Sequence, residues 1–130
     1  MKILLDTNAL VWLLSSSSGG SLGVKSKKII QDSEIVFASS VSVLEIQIKS
    51  MLGKMKVDVD LIEAIKTAGL KELDFKIVHA NELSAFLKLA KHDPFDRMLL
   101  AQAQTESMKL MTSDKFLLNL GLSFVLDAKE

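Results

Sequence analysis

The chain has 130 residues, 48% hydrophobic and 25% charged, enough apolar material to bury one core and too much for a disordered segment. Sixteen Lys+Arg balance sixteen Asp+Glu, so bulk positive charge is excluded as a grip on nucleic acid and any such contact must be local. With no cysteine and only two histidines, disulfides, thiolate metal sites and a Cys nucleophile are ruled out and a His-rich zinc site is disfavoured.

The N-terminus carries Lys2 before Ile3-Leu4-Leu5 and Ala9 to Leu14, but Asp6, Thr7 and Asn8 break the unbroken apolar run that a signal peptide needs. Nothing approaches the ~20 apolar residues of a membrane helix. A soluble cytoplasmic protein with no membrane partner is therefore expected. Ile3-Leu4-Leu5 reads as a buried strand and Ala9 to Leu14 as a short helix behind it. Ser15 to Gly23 has the composition of a flexible Ser/Gly loop. A helix over Val24 to Asp32 leads to a second buried strand, Ile35 to Ala38. Ser40 can then cap a helix running to about Leu52, with Gly53 as its terminating glycine.

Leu61 to Ala68 gives an amphipathic helix stopped by Gly69, followed by a strand near Leu73 to Val78 and a helix from about Ala80 to Ala90. Asp93-Pro94 reads as the cap and first residue of a longer helix, where proline has no N–H to lose. Leu110-Met111-Thr112 is a fourth strand ending near Asp114, Phe116 to Leu120 a short helix, and Phe124-Val125-Leu126 a last strand. This alternation predicts an α/β fold, one domain over residues 1–130 with three α/β/α layers and a mainly parallel sheet.

In open α/β sheets ligands bind beyond the carboxyl ends of the strands. Asp6 ends the first strand, Asp114 follows the fourth, and Asp93 and Asp96 open the helix that feeds the fourth. Glu45 falls on the helix after strand two with Val41, Ile48 and Leu52 one and two turns away, on or beside an apolar face. Each acid has a plainer role open to it. Asp6, Asp93 and Asp114 can cap helices, Asp96 can sit in a first turn, Arg97 can pair with Asp96, and Glu45 can pair with Lys49. Brought to one sheet edge, however, these acids repel. Two carboxylates about 5 Å apart cost on the order of 3 kcal/mol at an effective dielectric near 20. An oxygen-only donor set relieved of that repulsion by a cation selects Mg²⁺ or Mn²⁺ and suits phosphoryl chemistry. His79, His92, Met51 and Met55 are assigned to packing or surface.

Asp6-Thr7-Asn8 after a strand, Glu45 in Ser-Val-Leu-Glu-Ile, the stretch Asp93-Pro94-Phe95-Asp96-Arg97-Met98-Leu99-Leu100-Ala101-Gln102-Ala103, and Thr112-Ser113-Asp114 together resemble a PIN-domain ribonuclease, above all the VapC toxins of toxin–antitoxin pairs. The resemblance covers nearly the whole chain. It implies a PIN-like three-layer fold and a Mg²⁺- or Mn²⁺-dependent endoribonuclease acting on structured RNA such as tRNA or rRNA. It places the metal-binding, catalytic acids at Asp6, Glu45, Asp96 and Asp114, with Thr112, Asn8, Asp93 and Arg97 in support. It also implies a homodimer and a cognate VapB-like antitoxin. A phosphatase of the haloacid dehalogenase type would want a second acid where Asn8 stands, and a receiver domain would want a phosphoacceptor Asp where Ala38-Ser39-Ser40 stands. A non-enzymatic interaction module is the remaining alternative, and the intact acids speak against it. Seven aromatics, one Trp and six Phe, do not support extensive base stacking.

Overall fold

The computed structural model describes residues 1–15 and 21–130; the greater part of the expected Ser/Gly loop, residues 16–20, lies outside the described residues. Five strands, β1 (Lys2–Leu5), β2 (Ile35–Ser39), β3 (Lys71–Leu73), β4 (Lys109–Thr112) and β5 (Val125–Asp127), form one sheet in the order β3-β2-β1-β4-β5. Every pairing is parallel, so the expected mainly parallel sheet is wholly parallel. Helices α1 (Thr7–Leu14), α2 (Val24–Asp32), α3 (Ser40–Met51), α4 (Leu61–Thr67), α5 (Ile77–Asn81), α6 (Pro94–Thr105) and α7 (Lys115–Leu118) and a 3₁₀ segment (Glu82–Leu89) connect them.

Alternation along the strands divides the core, because successive side chains point to opposite faces. Ile3 and Leu5 of β1, Val36 and Ala38 of β2 and Met111 of β4 pack with Ala9, Leu10, Ile46, Leu61 and Ile65. Leu4, Phe37 and Leu110 face the other way, onto Leu89, Leu99, Leu100, Ala103 and Leu117. These two apolar layers are the expected three-layer architecture, and they leave β1 in the middle with both faces covered.

Local signals explain most helix ends. Asp93 accepts from the Phe95 and Asp96 amides at 2.8 and 3.3 Å and Pro94 follows as the first helical residue. Gly53 and Gly69 adopt φ of 70° and 74°, and the amides of Lys54 and Leu70 reach back to the carbonyls of Lys49 and Ile65, closing both helices as a left-handed residue allows. Three expectations are corrected. Ser39, not Ser40, caps α3, while the Ser40 hydroxyl accepts from the Phe75 amide. The third strand is not Leu73 to Val78 but Lys71–Leu73, because its partner β2 turns into α3 after Ser39 and no ladder remains to pair with. The helix expected from Ala80 begins at Ile77, after the His79 ring takes the Lys76 amide, and then tightens into the 3₁₀ segment, broken at Phe86 (φ −118°, ψ 53°).

The sheet order matters for function. From β1 the chain builds outward to β2 and β3, then crosses back to lay β4 and β5 on the other side. Neighbouring connections therefore diverge beyond the carboxyl ends of β1 and β4, and a crevice opens there.

Candidate active site

That crevice is a cleft of about 400 Å³ lined by acids from four segments: Asp6 after β1, Glu45 of α3, Asp93 and Asp96 at the start of α6, and Asp114 after β4. Asn8, Thr7, Lys49, Ser113 and Lys115 complete its wall.

Asp6 is 3% exposed and fully engaged. Its Oδ1 accepts from the Ala9 amide at 2.8 Å, capping α1, and its Oδ2 accepts from the Thr112 hydroxyl at 2.7 Å. One carboxylate thus both caps a helix and lines the cleft. Burial pushes its pKa up to about 6, against the hydrogen bonds from Thr112, Ala9 and Ser113, with the negative charge of Glu45 adding to the rise. Thr112 is buried beneath the cleft, and its oxygen also accepts from the Asp114 amide at 3.0 Å. Asp114 in turn caps α7 through the Leu117 amide at 2.9 Å.

Glu45 is 4% exposed. Its Oε1 accepts from the Thr7 hydroxyl and its Oε2 from Lys49 Nζ, each at 2.5 Å. Ile48 and Leu52, expected beside Glu45 on an apolar face, are exposed, and Glu45 lies instead beside Val41, Ser42 and Ile46 on the inward stripe. Lys49 is the cation that makes this burial affordable, and the same pairing, joined by the fields of Asp93 and Asp96, raises the Lys49 pKa.

Asp96 is raised furthest, to about 7, first by burial and then by the charges of Asp93, Asp114, Asp6 and Glu45. The convergence expected of Asp6, Glu45, Asp96 and Asp114 is therefore present in space, with Asp93 and Asn8 at the wall and Thr112 below. Arg97 is corrected: it lies off the cleft, and among the described residues its Nε is buried without a hydrogen-bond partner and it makes no ion pair with Asp96. One residue further along a helix is about 100° further round, which turns Arg97 away from the face that carries Asp96.

His92, expected in packing or at the surface, does pack, and it also faces two acids of the cleft. Its Nε2 stands 3.3 Å from Asp96 Oδ2 and 3.6 Å from Asp114 Oδ2, and its ring stacks on Phe116 with centroids 4.9 Å apart. The i, i+4 spacing of His92 and Asp96 was the available signal. Thr7 and Lys49 also line the cleft, and the sequence signal for each is an acid within one helical turn. His79 does pack: fully buried, it contacts Glu106 at 2.8 Å and takes the Lys76 amide.

The donor set fits a hard divalent cation. It offers carboxylate oxygens from four segments, and two of its acids have pKa values raised by burial and mutual repulsion, the state that a bound cation relieves. His92, Asp96 and Asp114 bring donor atoms within 4.8 Å of one another.

Among solved structures, the chain is similar to VapBC2 from Rickettsia felis bound to a DNA fragment from its promoter (15% identity, 98% of each chain, TM-score 0.70). It is similar to VapBC-1 from nontypeable Haemophilus influenzae (18% identity, 100% of each chain, TM-score 0.68). It is similar also to Mycobacterium tuberculosis VapC20, a sarcin–ricin-loop-cleaving toxin (11% identity, 95% of this chain and 98% of that one, TM-score 0.61). At these identities the likeness is one of fold. No curated protein matches the sequence significantly. The PIN domain family model matches residues 3–121, nearly the whole chain, and with the parallel sheet and the acidic cleft at its switch point this chain belongs to the PIN domain family.

Proposed function

We propose that the protein is a metal-dependent endoribonuclease of the VapC toxin type, hydrolysing a phosphodiester of structured RNA in the cleft. The observation that carries this reading is the concentration of Asp6, Glu45, Asp96 and Asp114, from four chain segments, in one pocket of a chain with formal net charge +0. Asp6, Glu45, Asp96 and Asp114 would hold Mg²⁺ or Mn²⁺. When bound, such a cation neutralises the phosphodiester and lowers the pKa of an attacking water.

The chain's own groups divide the remaining work. Thr112 and the Ala9 amide hold both oxygens of Asp6, so its carboxylate is fixed in direction before any ligand arrives. Thr7 and Lys49 do the same for Glu45. Lys49 and Lys115 line the cleft, where their ammonium groups would meet non-bridging phosphate oxygens, and the Asn8 amide could donate to the same group. The Thr7 and Thr112 hydroxyls donate to carboxylates and the chain has no cysteine, which favours water as the nucleophile.

A further structure of similar fold is a toxin–antitoxin complex from Klebsiella pneumoniae. A VapB-like partner for this chain would meet the cleft best with Arg or Lys side chains, which pair with the acids as a metal does. Leu44, Ile48 and Met51 of α3 and Leu52 just after it are exposed, an apolar stripe that supports association with a partner chain, a second copy included. No helix among the described residues is long and apolar enough to cross a membrane.

The test is cleavage of tRNA and rRNA fragments by purified protein with Mg²⁺ or Mn²⁺ and with EDTA. Metal-dependent internal cuts, absent in Asp96→Asn, are expected. Cleavage that persists undiminished in EDTA would overturn the metal-dependent reading.

A further inference from the structure

The two histidines of this chain lie in different surroundings. His79 is sealed in a network with Glu106, Gln102 and the Lys76 amide. His92 is the last residue before the Asp93 cap of α6. It stands beside two acids of the cleft, with Nε2 3.3 Å from Asp96 Oδ2 and 3.6 Å from Asp114 Oδ2. That nitrogen is buried yet makes no hydrogen bond to either carboxylate or to any other described group. A buried imidazole nitrogen with no hydrogen bond is costly unless a ligand completes it.

Its position is also restrained. The ring lies nearly parallel to Phe116, at 19° with centroids 4.9 Å apart, and the His92 amide donates to the Leu89 carbonyl at 2.9 Å. Phe116 belongs to α7, whose cap is Asp114, so the stack ties His92 to the element that carries one of the two acids it faces. The His92, Asp96 and Asp114 donor atoms all fall within 4.8 Å of one another. Adjacent donors around an octahedral cation with bonds near 2.1 Å are roughly 3.0 Å apart. The observed spacings of 3.3 and 3.6 Å therefore need only small side-chain adjustment to share one ion.

We propose that His92 supplies a nitrogen donor beside the carboxylates of Asp96 and Asp114, making this a mixed oxygen and nitrogen site that takes Mn²⁺ in preference to Mg²⁺. The chemistry follows from the donor. Mg²⁺ prefers oxygen and gives up water reluctantly, whereas an imidazole raises affinity for transition-metal ions much more than for Mg²⁺. The inference rests on the metal-dependent reading above and adds an element of selectivity that the carboxylates alone do not provide.

The experiment is Mn²⁺ titration of the full chain, followed by pulsed electron paramagnetic resonance for hyperfine coupling to an imidazole nitrogen. Competition with Mg²⁺ measures the preference. Two variants are compared: His92→Phe keeps the stack on Phe116 while removing the donor, and His92→Gln replaces the ring with an amide should Phe disturb folding; circular dichroism checks both. Wild type should show imidazole coupling, which is lost in both variants, and the Mn²⁺ over Mg²⁺ preference should fall about tenfold or more. Because His79 is buried and engaged, a wild-type imidazole signal belongs to His92. If Mn²⁺ binds wild type without nitrogen coupling, or if the variants keep the preference, the role of His92 is overturned while the metal-dependent reading stands. If wild type binds neither ion at millimolar concentration, both fall.

Discussion

The Thr112 hydroxyl donates to Asp6 Oδ2 at 2.7 Å while its oxygen accepts the Asp114 amide at 3.0 Å, so one buried side chain at the end of β4 orients acids on two neighbouring connections. Thr112→Val keeps the shape and removes both bonds. It should destabilise the protein by about 1–2 kcal/mol, as lost buried hydrogen bonds do. Metal affinity should fall with it, because Asp6 loses the group that directs its second oxygen. Urea denaturation and Mn²⁺ titration read the two effects separately. Unchanged stability and affinity would show Thr112 to be packing alone.

Asp93 and Asp96 stand three residues apart at the start of α6 and should behave differently. Asp93 accepts two amides as the cap, so Asp93→Ala should cost about 1 kcal/mol of stability. Asp96 caps nothing and carries the most strongly raised pKa of the cleft. Asp96→Asn should abolish cleavage of RNA and leave the circular dichroism spectrum native. Wild-type cleavage by Asp96→Asn would move the reaction away from this acid.

The raised pKa values of Asp6, to about 6, and of Asp96, to about 7, both from 3.8, set a pH dependence of known sign. Between pH 4 and 7 the folded protein holds protons on these groups that the unfolded chain has already released, so stability in the absence of metal falls as pH rises through this window. Below about pH 4 both states are protonated and above about pH 7 neither is, and the dependence levels off at both ends. Asp96→Asn removes the larger contribution and should flatten the curve, gaining most over wild type at pH 8. Thermal melts in EDTA from pH 4 to pH 8 measure this; a wild-type curve that rises with pH throughout would contradict it.

Metal should reverse the loss. An ion that binds only the folded state stabilises it by RT ln(1 + [L]/Kd), about 2.7 kcal/mol at a hundred times Kd. The melting temperature should therefore rise with Mn²⁺ or Mg²⁺ at pH 8 and much less at pH 5, where Asp6 and Asp96 are largely protonated. Asp114→Asn keeps an oxygen for the Leu117 amide, so its stability in EDTA should equal or exceed that of wild type while most of the metal-induced rise disappears. Equal metal-induced shifts in wild type and Asp114→Asn would remove Asp114 from the ligand set.

Much of this molecule is written in local sequence. Apolar runs of two to four residues ending at Asp6, Ser39 and Thr112 specify buried parallel strands, and Asp93-Pro94, Gly53 and Gly69 mark helix ends through backbone chemistry that acts within one turn. Two of the acids were legible for the same reason, since Asp6 and Asp114 fall at strand-to-helix joints that meet at the sheet's carboxyl edge, while Asp96 follows the Asp93-Pro94 cap in the first turn of the helix leading to β4. Where a boundary depended on a partner, the sequence misled: β3 stops at Leu73 because β2 has already turned into α3, which no property of residues 73–78 announces.

The site's fine structure was decided only by the tertiary fold. Glu45 had a helix neighbour, Lys49, in the sequence, but its second partner, Thr7, lies 38 residues away on another helix. Arg97 and His92 flank the cleft motif almost symmetrically in the chain, yet the helix turns one away and the stack on Phe116 turns the other toward Asp96 and Asp114. The charge of each acid is settled the same way. Residue type sets a reference pKa, whereas burial and the fields of acids from distant segments raise Asp6 and Asp96, and those fields exist only once the sheet order has brought β1 beside β4.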